Sequence, residues 1–229
     1  METMLLATAP EPLVRQLYDE LLEPAFPPTE LMTYDELESA VEAGDVTGLV
    51  LAEDDVPLAG VITEDFLDGR VTLLAYLVVS AGHRSRGLGS RLLDRACAPA
   101  TALVLAEIED PRFHAADELT GDPAARLRFY QRYGSMLLPI PYAQPSLRPG
   151  MPRVEDMLLI TIPSAIDPAP DLDGTLVAAF LEEYFHTCEG VDVDSEPNYL
   201  SMRAAALGPA GSLALVTLDD LEAARPARA

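Results

Sequence analysis

The stretch VTLLAYLVVSAGHRSRGLGSRLLDRA, Val71 to Ala96, decides how the rest of the chain is read. From Val71 to Val79 only Thr72 interrupts the apolar run, and β-branched and aromatic residues are well represented. That composition predicts a strand covered on both faces. Beyond it, Leu88, Leu92, Leu93 and Ala96 recur at helical spacing while Arg91, Asp94 and Arg95 lie mostly away from them, which predicts a helix lying on a sheet. The loop between holds Arg84, Gly87 and Gly89. The opening amides of a helix lack internal partners and sit at the positive end of its dipole, so such a loop offers a seat to phosphate oxygens. Glycines at 87 and 89 remove the Cβ atoms that would block the approach.

Other readings of this turn are a strand-to-helix connection that merely contains glycines, and a dinucleotide-binding turn. For the latter, Glu107 near the end of the next strand stands where a ribose-binding acid would be expected. Against it, Leu92 replaces the third glycine, several residues separate the strand from Gly87, and the strand is not near the start of the domain. A Walker-type phosphate loop is excluded because the chain contains no lysine.

A second stretch, Gly121 to Ser135 (GDPAARLRFYQRYGS), frames one short helix. Asp122 suits the N-cap, Pro123 the first helical position and Gly134 the C-terminal stop. Arg84-x-x-Gly87-x-Gly89 after an apolar strand, followed by Phe129-Tyr130-Gln131-Arg132-Tyr133-Gly134, resembles the two signatures of the GNAT superfamily of N-acetyltransferases. The resemblance implies an α/β (α+β) chain with the GNAT acyl-CoA N-acyltransferase fold, a mixed and mostly antiparallel central sheet flanked by helices. It covers residues 1–163. Residues 164–229 are expected to be a linker and a helical extension packed on the core or on a second copy of the chain, as in a homodimer.

What the resemblance implies about the site is more detailed. Acetyl-CoA serves as co-substrate, with no metal. Its pyrophosphate rests on the backbone amides of Arg84, Ser85, Arg86, Gly87, Leu88, Gly89 and Ser90. A bulge in the preceding strand frees backbone groups of Leu77, Val78 and Val79 for the pantetheine arm. Tyr130 matches the family's general acid, which protonates the departing thiolate, a task suited to a phenol that is protonated at neutral pH. Two departures stand out: Val71 to Val79 carries no Glu to act as remote base, Tyr76 being its only polar-tipped interior residue, and Asp122 replaces an Asn that often contacts the cofactor arm.

Glu107-Ile108-Glu109-Asp110-Pro111 closes the following strand with three carboxylates. Alternation puts Glu107 and Glu109 on one face and Asp110 on the other. The cluster reads as a solvated turn or, functionally, as a place where Glu107 binds a cationic amine or takes its proton through water; His114 stands nearby. Two function classes follow from the resemblance: an N-acetyltransferase acting on a small amine or exposed amino group, and an acyl-CoA-binding sensor or assembly protein without turnover.

Composition sets the outer bounds. The 229 residues are 49% apolar and 23% charged, which belongs to a globular protein with a sizeable core. No run is long enough to span a bilayer and the first thirty residues lack a basic n-region, so a cytoplasmic protein away from membranes is the expectation. A formal charge of −23, from 38 acids against 15 arginines, disfavours nucleic acid and favours cationic partners. The absence of Lys and the single Asn at 198 point to a genomic bias behind part of that charge. Cys97 and Cys188 are too few for a disulfide framework, and Cys97 reads as a small buried thiol.

Elsewhere, Met4 to Thr8 predicts a strand, and Pro12 to Leu22 and Tyr34 to Ala43 predict helices, the second capped by Thr33 and closed by Gly44. Thr47 to Ala52, Leu58 to Thr63, Ala102 to Glu107, Leu137 to Tyr142 and Asp156 to Ile162 predict further strands. Phe26 to Met32, with Phe26 and Tyr34, and the long connection Ala143 to Glu155 are expected to wall an acceptor pocket. Pro163, Pro168 and Pro170 suggest a linker, Leu172 to His186 and Pro197 to Leu207 two more helices, and the residues after Pro209 a loosely held tail.

Overall fold

The computed structural model describes residues 1–98, 100, 102–116, 121–148, 150–165, 171–190, 195–208 and 210–221. In chain order its strands are β1 (Glu2–Leu5), β2 (Val46–Glu53), β3 (Val56–Phe66), β4 (Val71–Val79), β5 (Leu103–Glu109), β6 (Met136–Leu137), β7 (Met157–Ile162), β8 (Asp171–Asp173), β9 (Ser212–Ala214) and β10 (Val216–Thr217). The helices are α1 (Glu11–Leu17), α2 (Tyr34–Ala43), α3 (Leu88–Ala96), α4 (Pro123–Tyr133), α5 (Gly174–Glu189) and α6 (Pro197–Leu207). The main sheet runs β1-β2-β3-β4-β5-β7-β6-β10, and β8 pairs with β9 beside it. Every neighbouring pair is antiparallel except β4 and β5.

Turn chemistry sets the meander. Asp54 and Asp55 both adopt positive φ, 52° and 60°, between β2 and β3. That is the handedness a two-residue hairpin needs to match the twist of its strands, and Asp tolerates it better than most residues. After β4 the chain leaves the sheet through α3 and returns as β5, so β4 and β5 lie parallel.

The β4 strand carries an irregularity at its centre. Ile62 pairs with Tyr76 but Thr63 pairs with Leu74, which leaves Ala75 as an extra residue on β4. The bulge re-phases side-chain alternation. Before it Val71 and Leu73 face one side; after it Tyr76 and Val78 continue on that side, whereas Leu74, Leu77 and Val79 face the other.

On the Leu74 side, α3 and α4 bury Leu92, Leu93, Leu127 and Tyr130 against Val61, Val104, Ala106 and Ile160. The opposite face is shared. The α1 helix, which runs on through a wider π-type turn at Tyr18–Leu22, packs with α2 over β2, β3 and the far half of β4. Over β5 and β7 lie α5 and α6, where Phe180, Phe185, Tyr199 and Met202 are fully buried with Leu73, Leu105 and Leu159. The C-terminal helices thus complete the sheet's second face.

Several elements differ from the sequence reading. The first strand is Glu2–Leu5, and Leu6–Thr8 turns as a short 3-10 helix. Leu137 to Tyr142 is a regular strand only at its start, because Pro139 and Pro141 supply no amide to a ladder and Ile140 and Tyr142 donate instead to carbonyls two residues back, although the Tyr142 carbonyl still accepts from the Met157 amide. The short strands β8, β9 and β10 were not foreseen. Pro149, Pro168, Pro170 and the tail 222–229 lie outside the described residues, so the linker and tail expectations are addressed only in part.

Candidate active site

The pairing of β4 with β5 ends at Leu74 and Ala106. Beyond that point β4 stays on β3 and β5 stays on β7, so the two strands part at the bulge. Leu74, Ala75 and Leu77 on one side and Glu107, Ile108 and Glu109 on the other line a cavity in the gap, with Tyr130 and Phe26 closing it. Among the described residues, the edge of β4 from Leu77 to Val79 that faces the gap has no partner strand.

At the end of β4 the chain turns through Ala81–His83, and Arg84 Nε donates back to the Val79 carbonyl at 3.3 Å. Ser85 (φ 62°) and Gly87 (φ 77°) are both left-handed, and Gly87 is the N-cap of α3. Thr33, Asp122 and Asp173 cap α2, α4 and α5 with their side chains, whereas α3 has no capping side chain and no acid in its first turn. The amides of Leu88, Gly89 and Ser90 therefore keep their donor capacity at the positive helix end. Arg84, Ser85, Arg86 and Gly87 are exposed around them. Gly89 itself is buried; a Cβ there would stand 3.4 Å from the Phe129 ring, so it brings α3 close to α4.

Tyr130 projects from α4 into the gap, its ring set edge-on to Phe129 at 5.0 Å. Its residue is 5% exposed, and its hydroxyl makes no hydrogen bond to another described residue. Burial raises the phenol's pKa above the ordinary value, against a smaller opposing effect of Arg126. The group is thus a fully protonated donor at neutral pH.

Glu107 enters the same gap from the α5 side. Tyr142 donates to Oε1 at 2.5 Å, and Gln144 Nε2 and Tyr184 donate to Oε2 at 2.9 and 3.1 Å. Burial pushes its pKa up to about 7, although all three donors act to lower it. The neighbouring acids are engaged elsewhere. Glu109 pairs with Arg126 at 2.7 Å, and Asp110 with Arg112 at 2.6 Å. His114 is turned to the Glu155 carbonyl, and Asp122 caps Ala124. Of the aromatic candidates, Phe26 lines the gap against Tyr76, whereas Tyr34 is packed on Tyr18 and bonded to Glu11 and Glu38. Cys97 is buried in the α3 core, its thiol pushed up to about 12 by burial.

A second cavity, of about 170 Å³, opens from the gap on the α5 side and shares Glu30, Ala75, Glu107 and Gln144 with the first. Its walls come from the α1–α2 connection (Met32), β3 (Glu64), β4 (Leu73, Tyr76), the connection after β6 (Leu147) and α5 (Tyr184, Thr187, Cys188). Arg148 ties two of these walls together, reaching Glu36 and the carbonyls of Pro28 and Leu31. Of the segments expected to wall a pocket, Phe26 to Met32 supplies Glu30 and Met32 and Ala143 to Glu155 supplies Gln144 and Leu147, whereas Glu64 and Tyr184 carry no local signal, since they meet the cavity only through tertiary packing. Among the described residues no group of three or more His, Cys, Asp or Glu is placed to hold a metal ion, and no helix is long and apolar enough to cross a membrane.

Comparison with known proteins agrees with this architecture. A solved structure from Bacteroides thetaiotaomicron, assigned to the GNAT acetyltransferases, superposes with a TM-score of 0.61 at 22% identity, covering 82% of this chain and 97% of its own. The ribosomal-protein-S18-alanine N-acetyltransferase of Escherichia coli aligns at 16% identity with a TM-score of 0.45, over 73% of this chain and 99% of its own. An aminoglycoside 6'-N-acetyltransferase from Enterococcus faecium aligns at 16% identity and TM-score 0.47, over 73% and 100%. No curated protein sequence matches the chain. The family model of the GNAT acetyltransferases matches residues 14–134, a little over half of the sequence, and the chain belongs to that family.

Proposed function

We propose that this protein transfers the acetyl group of acetyl-CoA to a primary amine by direct attack within a ternary complex. The observation that carries this reading is the parting of β4 and β5 at Ala75, with Tyr130 lining the gap from one face of the sheet and Glu107 from the other. An uncapped helix end stands at the end of the same strand.

Each requirement of acyl transfer has a residue suited to it. The open amides of Leu88, Gly89 and Ser90, with those of Arg84 to Gly87 around them, would hold the diphosphate of the co-substrate. The unpartnered edge of Leu77, Val78 and Val79 would accept the amide-bearing arm as an added strand. Both reactants are then held side by side, which converts a bimolecular encounter into an intramolecular step. Glu107, ionised above pH 7, would take a proton from the incoming ammonium, leaving the nitrogen lone pair free to form the C–N bond. Tyr130 would give its proton to sulfur as the C–S bond breaks. The nitrogen would lose its second proton to solvent as the amide forms, Tyr130 would recover one proton from solvent, and Glu107 would release its own there before the next turnover. The products are an amide and free coenzyme A.

Release of free thiol from acetyl-CoA in the presence of small amines tests the reading. Amine-dependent release well above the hydrolysis background supports it. Tight acetyl-CoA binding with no such release, across diamines, amino acids, aminoglycosides and lysine peptides, would make the chain a sensor instead. Failure to bind the thioester at all would remove both.

A further inference from the structure

On the face opposite α3 and α4, the two apolar clusters do not merge. Between Ile62, buried under α1 and α2, and Phe66, buried under α5, the β3 strand presents Glu64. Glu64 pairs across β4 with Leu73, Leu73 pairs with Leu105, and Glu107 lies two residues further along β5. At ordinary strand spacings the two Cα atoms stand roughly 12 Å apart on one face. Both residues line the cavity of about 170 Å³ described above. Glu30 enters from the α1–α2 connection.

The charges in this chamber are unbalanced. Its described lining contains the carboxylates of Glu30, Glu36, Glu64 and Glu107 and no arginine or histidine. Glu36 is neutralised at the rim by Arg148 at 2.9 Å. Glu64 makes no side-chain hydrogen bond or ion pair with any described residue, whereas Glu30, which also lines the first cavity, has Glu109, Arg126 and His114 as its charged neighbours. A second observation is independent of the acids. Gln144, only 7% exposed, lines the chamber and gives its Nε2 to Glu107, while its Oε1 is sealed from solvent with no hydrogen-bond partner among the described residues. Turning the amide over would set its oxygen against the carboxylate. A buried acceptor left unmade is costly, so the site is built to receive an N–H donor.

We propose that the acceptor is a small dicationic amine, its reacting nitrogen placed at Glu107 and Gln144 Oε1 and its second cationic nitrogen held by Glu64. The inference rests on the acetyltransfer reading for the reacting end alone. Burial pushes Glu64 up to about 7, as it does Glu107, and no cation among the described residues opposes it at Glu64. A bound cation is what favours their charged forms. The Tyr76 and Tyr184 rings in the walls fit the methylene chain between two such nitrogens.

Calorimetric titration of 1,4-diaminobutane, butylamine and 4-amino-1-butanol, each into the protein alone and into the protein saturated with coenzyme A, tests this. The diamine is expected to bind on the order of ten- to a hundredfold more tightly than either monocation, the scale of one charged hydrogen bond. Glu64→Gln, which keeps side-chain size, should remove most of that ratio; a melting curve checks that the variant is folded. Equal affinities for the three amines, or a ratio unmoved by Glu64→Gln, would overturn the inference. Coenzyme A binding without diamine preference would do so while leaving acetyl transfer standing. Diamine preference without coenzyme A binding would support the chamber and remove the transferase.

Discussion

Tyr130 and Glu107 face one gap from opposite sides of the sheet, and their environments push them toward opposite proton tasks. Burial keeps the phenol protonated, so it can give a proton; the same burial lifts the carboxyl to about 7, where it can take one. Tyr130→Phe is expected to lower kcat by about a hundredfold, the scale of a lost general acid, with the dissociation constant for acetyl-CoA nearly unchanged. Steady-state rates and calorimetry separate the two; equal losses in both would make Tyr130 a packing residue. The pH profile of kcat/KM should rise through about 7 and level above it, because the base works only when deprotonated. Glu30 and Glu64 titrate in the same range, so Glu107→Gln is the informative comparison: the low-pH limb should disappear along with most of the rate. Tyr130 was legible in the sequence because its helix is framed by local signals. Gln144 was legible only as part of a connection expected to wall a pocket, and Glu64 not at all, because which face Glu64 takes, and what Gln144 touches, depend on strands and loops brought together from distant parts of the chain.

Where an element is decided by its own few residues, the sequence predicted it closely. Thr33 and Glu36 form a reciprocal capping box on α2, with Gly44 left-handed at its end. Asp122, Pro123 and Gly134 frame α4 as their positions predict, and Pro197 opens α6. Elements decided by non-local pairing were less legible. The strand expected from Leu137 to Tyr142 looks apolar throughout, but its two prolines withhold the donors a ladder needs, and the chain instead bends over the chamber. The bulge at Ala75 has no mark of its own in Leu74-Ala75-Tyr76; only the family resemblance implied it. The turn before α3 permits a test at this scale. Gly87 sits at φ 77° with open space where a Cβ would go, so Gly87→Ala adds no clash and only backbone strain. The expected cost is about 1 kcal/mol of stability, read as a small fall in Tm. Because the strained turn aims the α3 amides, the affinity for coenzyme A should fall by about tenfold as well. An unchanged affinity would place the diphosphate somewhere else.

Across the whole molecule, the carboxylates of the chamber give folding an unusual dependence on pH. Glu30, Glu64 and Glu107 each bind their proton up to about 7 in the folded chain, while in the unfolded chain they release it in the ordinary carboxylate range. Between those limits the folded state holds more protons than the unfolded one, so stability falls as pH rises, and the loss is complete once pH exceeds the folded values. Self-repulsion from a formal charge of −23 acts in the same sense. Glu36 acts oppositely: its hydrogen bonds with Arg148 and Thr33 hold it down to about 2, so its contribution is present above the ordinary range and lost as pH drops toward 2. The outcome expected is a melting temperature highest near pH 5, lower by on the order of 5 °C at pH 8, and falling again in strong acid. Salt should raise the pH 8 value by screening the surface charge but leave much of the slope, since a chamber walled by α5 and the α1–α2 connection is screened far less than the exterior. Glu64→Gln should flatten the slope between pH 5 and 7 and raise stability at pH 8, because it removes a carboxylate that the fold must bury with no described partner. A slope abolished by salt and untouched by Glu64→Gln would assign the effect to the exterior charge and not to the chamber.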